Sequence, residues 1–372
     1  MKFVIERAIL LKTLNHVQSI VEKRNTIPVL SNVRIEALGD GISFKATDMD
    51  TEITEIVDAK IIETGATTAP AHMLYDIVRK LADGAEVEIT FPDDKGQLSI
   101  ASGRSKFALS TIGVEDFPVI YGDQLPINFS IAREELKDVI DRTQFAVSTE
   151  ETRYYLNGLY VHAKNEGSAK VLRVVATDGH RLACVESPLP QGAEKIAGVI
   201  IPRKTIGEVR KLLDDTKAEN IDIALSDNKV RFTLEEVTLT SKLIDGTYPD
   251  YERVIPTDND KLLEVKVKEL ANAVDRVSVV AERTRAIKMI TEEAKVVITT
   301  SSPDLGSAWE ELEAKYDNES LEVGYNFRYL LDILGEIKGE NVQISFSDAS
   351  SPSVIHDTSD ASAIYVLMPM RV

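Results

Sequence analysis

Apolar positions along this chain first alternate and then fall four apart, and the same change of period occurs three times. Phe3 and Ile5 are spaced as in a strand, and Leu10 and Leu14 share one face of a helix. Phe129, Ile131, Leu136 and Ile140 repeat this spacing, and so do Leu263, Val265, Leu270 and Val274. Each third echoes itself near its middle. Pro70, Leu74, Ile77 and Leu81 open a second helical pattern, matched by Pro202, Ile206, Val209 and Leu213 and by Asn326, Leu330, Ile333 and Ile337. The prolines stand at or just before a first helical turn, where a missing N–H costs nothing. Alternating segments follow each: Val87-Ile89-Phe91, Ile221-Ile223-Leu225 and Val342-Ile344-Phe346.

A unit of about 130 residues is too long for a solenoid repeat and has the size of a domain. The pattern therefore predicts an α+β fold of three similar domains. Each consists of two half-modules with one helix and several mostly antiparallel strands. Polar, turn-forming connectors at Asp123-Gln124-Leu125-Pro126 and Pro256-Thr257-Asp258-Asn259-Asp260 place the boundaries at 1–125, 126–257 and 258–372. A row of such domains leaves sheet edges open at both ends, and pairing with a second copy would remove them.

The apolar content of 43% and charged content of 28% are those of a soluble globular protein. The first residues, Met1 to Arg7, form too short and too charged a run for export, and no apolar stretch is long enough to span a bilayer. Cys184 is the only cysteine, which excludes an intrachain disulfide and a cysteine zinc cluster and points to the cytoplasm. The net charge of −18 opposes simple adhesion to nucleic acid unless one face is basic. Basic residues do recur on the expected helices: Arg7, Lys12, Lys23 and Arg24; Arg79 and Lys80; Arg133, Lys137 and Arg142; Arg203, Lys204, Arg210 and Lys211; Arg276, Arg283 and Arg285. Five of the six related helices carry such residues, which suggests a functional face.

Phosphate-loop, dinucleotide, zinc-protease and nucleophile-elbow signatures are all missing, and the five histidines show no metal-ligand spacing. No cofactor, metal or catalytic residue is expected. The segment Val175 to Ala183 stands out. Asp178-Gly179 between apolar runs is a hairpin signal, and Ala46-Thr47-Asp48 in the first third is its cognate. The rival reading is an enzyme with Asp178 and His180 as acid and base and Cys184 as nucleophile. No oxyanion or phosphate-holding motif accompanies them. At the other end of the chain, Met368-Pro369-Met370 closes a final strand with a proline that stops pairing and two adaptable methionines.

Several strings in order resemble the bacterial DNA polymerase III beta subunit family, the sliding clamps. They are Arg24 to Asn32, Arg153-Tyr154-Tyr155-Leu156-Asn157-Gly158, Thr177 to Ala183, Leu243 to Tyr251, and Met368-Pro369-Met370-Arg371. The resemblance covers essentially the whole chain. It implies a homodimeric head-to-tail ring in which helices line a hole around double-stranded DNA and sheets form the outer wall. The ring would tether the replicative polymerase as a processivity factor, with no chemistry of its own. Implied partners are the DNA polymerase III alpha subunit, the clamp loader delta subunit and other proteins with a clamp-binding motif, and no membrane. The partner-peptide pocket would use Tyr155, Leu156, Thr177, Gly179, His180, Arg181, Leu182, Pro249 and Val254. Asn326, Tyr329, Val366, Met368, Pro369, Met370 and Arg371 would complete it. Sequence-independent phosphate contacts would come from Arg24, Tyr154, Lys204, Arg283 and Arg285. At the dimer interface Leu109 matches the family, but Ser278 and Val279 stand where a bulky apolar pair is usual. A scaffold that binds peptides without DNA is the remaining alternative.

Overall fold

The computed structural model describes residues 1–39, 41–92, 96–118, 124–166, 169–281 and 285–371. Six half-modules follow one another, each a strand, a helix and three further strands. The first is β1 (Lys2–Glu6), α1 (Arg7–Ile20), β2 (Asn32–Ala37), β3 (Ile42–Thr47) and β4 (Thr51–Val57), followed by a short extra strand, β5 (Lys60–Glu63). The second is β6 (Gly65–Pro70), α2 (Ala71–Arg79), β7 (Glu86–Thr90), β8 (Gln97–Ser102) and β9 (Ser105–Ser110). The third and fourth are β10 (Ile127–Ala132), α3 (Arg133–Gln144), β11 (Gly158–Glu166), β12 (Ala169–Thr177) and β13 (Arg181–Pro188), then β14 (Val199–Pro202), α4 (Arg203–Asp215), β15 (Asn220–Leu225), β16 (Lys229–Leu234) and β17 (Val237–Lys242). The fifth is β18 (Lys261–Lys266), α5 (Val267–Ala281), β19 (Ala286–Glu292), β20 (Lys295–Ser302) and β21 (Gly306–Glu313). The last is β22 (Leu321–Asn326), α6 (Phe327–Gly335), β23 (Asn341–Phe346), β24 (Ser353–Asp357) and β25 (Asp360–Leu367).

The helices start where the pattern predicts. Pro70 caps α2, Pro202 directly precedes α4, and the Asn326 side chain accepts the Arg328 N–H to cap α6. Leu10 and Leu14 are fully buried, as are Leu270 and Val274.

The chain forms two compact units, residues 1–134 with 204–243 and residues 135–203 with 244–372. The division falls inside the second repeat. In the first unit an eight-stranded antiparallel sheet runs β10-β15-β16-β17-β4-β3-β2-β6, so β17 of the second repeat pairs with β4 of the first. In the second unit the order is β18-β23-β24-β25-β13-β12-β11-β14, and β25 of the third repeat pairs with β13 of the second. The two sheets are copies shifted by one repeat. A buried row crosses the first: Phe129, Ile223, Phe232, Leu239, Ile53 and Ala46. Its counterpart in the second is Leu263, Ile344, Ile355, Tyr365, Ala183 and Ala176.

Each unit also holds a smaller sheet, β5-β1-β7-β8-β9 in the first and β21-β20-β19-β22 in the second. Apart from the extra strand β5, these correspond to the two halves of an eight-stranded sheet, one ending at β9 and the other at β21. The matching row in the first is Phe3, Ile89, Ile100 and Phe107, and here the last member is 38% exposed because β9 is an edge.

The β17–β4 joint carries a buried histidine. His16 on α1 bonds Glu55 on β4 through Nδ1 (2.8 Å) and Asp215 on α4 through Nε2 (3.1 Å). Burial alone would depress its pKa, but the hydrogen bonds and charges of Glu55 and then Asp215 outweigh it, and the value rises above 6.5. A raised folded-state pKa stabilises below the unfolded value and is lost as pH climbs through the folded one. Thermal unfolding followed across that range should show the first unit weakening with rising pH, and His16→Gln should flatten the dependence.

Candidate functional site

The strongest sequence motif is a hairpin tip in the second unit. Between β12 and β13 the Asp178 carboxylate accepts the N–H groups of His180 (2.8 Å) and Arg181 (3.0 Å). The Thr177 hydroxyl donates to the Arg181 carbonyl (2.7 Å) and accepts the Gly179 N–H (3.1 Å). Gly179 has φ +89°, and a Cβ there would stand 2.5 Å from Arg153 Nη1. The left-handed backbone favours glycine here, and any Cβ would have to push aside the flexible end of Arg153. The first repeat builds the same tip at Thr47 to Thr51, with Asp48 accepting two N–H groups and Met49 at φ +78°. Thr-Asp is thus a turn-building device of the repeat.

Cys184 lies with Leu156, Val175, Leu182, Ile200, Tyr248, Tyr251 and Val366 in one buried cluster. Burial pushes its thiol up to about 12, so it is protonated and inert at neutral pH. Asp178 is committed to the turn and to Arg181 Nε (3.1 Å), while His180 is exposed at the tip. The three residues of the enzyme reading form no nucleophile–base pair.

That cluster is instead an apolar floor. Tyr155 packs against it, and Pro249 and Val254 are exposed on the segment that Tyr248 and Tyr251 anchor to it. Tyr248 stacks on Tyr160 with ring centroids 4.6 Å apart. Arg181 makes the adjoining wall. Its guanidinium lies 4.3 Å from the Tyr329 ring and 5.0 Å from the Phe145 ring, while Nη1 meets Asp332 and Nη2 the Phe145 carbonyl, each at 2.5 Å. His180 stacks over Tyr329, which Asn326 positions by capping α6. Beyond Leu367 the tail is laced to both walls. The Met368 N–H donates to the His180 carbonyl (2.9 Å) and the Met370 N–H to the Gly324 carbonyl (2.8 Å). Met368 and Met370 stay exposed, and Met370 and Arg371 border a groove over β19, β20 and β22. All sixteen sequence-expected pocket residues lie in this one unit. Phe145, Asp332, Tyr248 and Tyr251 escaped the sequence reading, although Tyr248 and Tyr251 sit inside a string already singled out.

The expected DNA residues have different surroundings. Arg24 follows α1 and is exposed, with no ion-pair partner among the described residues. Tyr154 is exposed with its ring edge on Tyr155, and Arg285 is exposed at φ +57°. Lys204 is bound to Asp48 (2.5 Å) and to the Ile20 carbonyl (3.2 Å). Arg283 lies outside the described residues.

The basic residues on the expected helices fall into paired and unpaired sets. Arg7 pairs with Asp83, Arg79 with Asp76, Arg133 with Glu134, Arg210 with Asp214, Lys211 with Glu208 and Arg276 with Glu310. Arg142 is buried against Asp138 and Asp360. The acidic excess supplies intrachain partners for many of these cations. Exposed Lys23, Arg24, Lys80, Arg203 and Lys268 have no ion pair among the described residues.

At the expected interface positions, Leu109 is 6% exposed within its own chain, and Ser278 is also buried, its hydroxyl donating to the Asp275 carbonyl. Val279 is 72% exposed. Beside Leu109 on β9, Phe107 faces an open groove of about 490 Å³ shared with Met73, Ile77 and Leu81.

Repeated half-modules, sheets that run across repeat boundaries and a noncatalytic apolar cleft beside the chain terminus define the class: a three-domain antiparallel clamp. Family profiles assign its parts. The N-terminal, central and C-terminal domains of the DNA polymerase III beta subunit match residues 1–121, 130–250 and 252–371. The beta sliding clamp of Caulobacter vibrioides is 51% identical over the full length of both chains. The solved C. crescentus clamp, described with PEG at a proposed beta-motif tethering region, is 51% identical, with a TM-score of 0.98 covering 100% of this chain and 99% of that one. A Bartonella birtlesii clamp bound to griselimycin is 46% identical, with a TM-score of 0.97 over all of both chains. The chain belongs to the DNA polymerase III beta subunit family, whose members are sliding clamps and not enzymes.

Proposed function

We propose that two copies of this chain close head to tail into a ring that slides on duplex DNA and holds the replicative polymerase to its template. The observation that carries this is the pair of incomplete sheets. The β17–β4 and β25–β13 joints are alike, and β9 and β21 are the two edges left without that partner. In the common register Phe107 takes the place of Leu239 and Tyr365, and Ala308 that of Ile53 and Ala183. Phe107 against Ala308 repeats the large–small match of Tyr365 with Ala183. The helix above each edge fits as well: Arg276 stands as far from Leu263 as His16 does from Phe3, and its pair with Glu310 on β21 (3.0 Å) repeats that of His16 with Glu55 on β4. Leu109, Ser278 and Val279 are assigned to this interface with Phe107. The proposal keeps domains at 1–125, 126–257 and 258–372 and places the protein in the cytoplasm. No helix among the described residues is long and apolar enough to cross a membrane.

The apolar floor, the Arg181–Tyr329 wall and the methionine tail suit an extended peptide with apolar anchors. We assign the pocket to the DNA polymerase III alpha subunit, the clamp loader delta subunit and other proteins with a clamp-binding motif. Arg24, Tyr154, Lys204, Arg283 and Arg285 are assigned to sequence-blind phosphate contacts. Lys204 would first have to exchange Asp48 for phosphate, which weakens its contribution. With a net charge of −18, retention on DNA depends on topology more than adhesion. After loading by a clamp loader and ATP, the protein should remain on nicked circular DNA through a high-salt wash and leave once the circle is cut. Equal retention on circles and linear DNA, read by gel filtration, would refute encirclement.

A further inference from the structure

Trp309 is the only tryptophan in the chain, and it is 65% exposed on the edge strand β21. Alternation puts Ala308 and Glu310 on the helix side of the sheet, where Glu310 meets Arg276 of α5, and so puts Trp309 on the opposite, outer face. A bare indole on an unpaired edge is an open invitation to association.

The two joints already made within the chain show what would cover it. Next to the Ile53–Leu239 pair, the outer-face partners are Thr54 and Thr238. Next to Ala183–Tyr365 they are Cys184 and Ile364. Carried onto the edges, Trp309 takes the place of Thr54 and Cys184, and Lys106 that of Thr238 and Ile364. One step along the same face, Glu311 falls opposite Arg104, as Ile56 lies beside Glu236 in the first joint. Charge agrees with this register. β21 carries Glu310, Glu311 and Glu313, and the β8–β9 hairpin offers Arg104 and Lys106, both exposed and without an ion pair among the described residues.

We infer that Trp309 anchors the outer face of the joint with a second copy of this chain, its ring covered by the alkyl stem and ammonium of the partner's Lys106. This rests on the head-to-tail closure proposed above. It supplies a contact where the helix side is weak, because Ser278 and Val279 offer little apolar bulk. An ammonium over an indole is the strongest of the aromatic–cation pairings, and buried tryptophans are frequent interface hot spots.

The lone tryptophan makes the test direct. Sedimentation and Trp309 emission are followed together as the full chain is diluted. Emission should shift to longer wavelength, and iodide quenching should rise, in step with dissociation. Trp309→Ala should weaken the dimer at least about thirtyfold, Trp309→Phe by less, and Val279→Ala by no more than about threefold. Because Trp309 is exposed in its own chain, neither tryptophan variant should disturb the fold. A dimer whose emission and quenching do not change on dilution, or whose affinity survives Trp309→Ala, overturns the anchor and leaves closure standing. A protein that is monomeric at every concentration overturns closure and the anchor with it.

Discussion

Phe107→Asp should convert the dimer to monomers while each chain stays folded. Phe107 closes a row whose other members, Phe3, Ile89 and Ile100, are fully buried, yet it is itself 38% exposed. In the joint it would be buried against Ala308, and covering a phenylalanine is worth roughly 1.5–3 kcal/mol. A carboxylate at that place would lose this gain and would also be desolvated without a partner, beside Glu310. A combined cost above about 4 kcal/mol raises the dissociation constant about a thousandfold, and a ring has two such joints. Leu109→Asp is the less informative substitution, because Leu109 already packs inside its own chain and a charge there would also damage the sheet. Analytical ultracentrifugation decides the matter, with circular dichroism to confirm the fold. A Phe107→Asp protein that remains dimeric at nanomolar concentration would place the joint elsewhere.

Truncation after Leu367 should abolish capture of a polymerase-derived clamp-binding peptide, and Met370→Ala should weaken it by roughly 1–3 kcal/mol. Leu367 is the last residue paired with β13, so the sheet survives the cut. What goes is the segment tied to the His180 and Gly324 carbonyls, with both exposed methionines. Arg181→Ala should also weaken binding, and it would carry a stability cost that the truncation does not. Its guanidinium joins Phe145, Tyr329, Asp332 and Asp178, and its loss leaves two carboxylates without their cation. Calorimetry with the peptide separates these effects. Unchanged affinity in both Met370→Ala and the truncated chain would remove the pocket assignment.

The local elements were legible in the sequence because they depend on near neighbours. The change from alternating to four-residue spacing marked β1–α1, β10–α3 and β18–α5, and Pro70, Pro202 and Asn326 marked the second helix of each repeat. Asp178-Gly179 announced a tight turn because few residues other than glycine tolerate that backbone. The motif strings named sixteen residues that the fold gathers into one unit, including the methionine tail. The tertiary structure decided which strands pair across repeats. Nothing in the spacing of β4 or β17 says that they are partners, since strand pairing depends on backbone groups common to every residue. Hence three repeats in sequence became two compact units, and the second repeat was divided between them. Charge pairing was decided at the same level. Arg276 and Arg7 read as free basic residues until folding brought Glu310 across to one and Asp83 to the other. Phe107 and Trp309 show the same limit. As side chains in a strand they resemble any alternating pair, and only the tertiary structure, by leaving β9 and β21 as sheet edges, sets them apart.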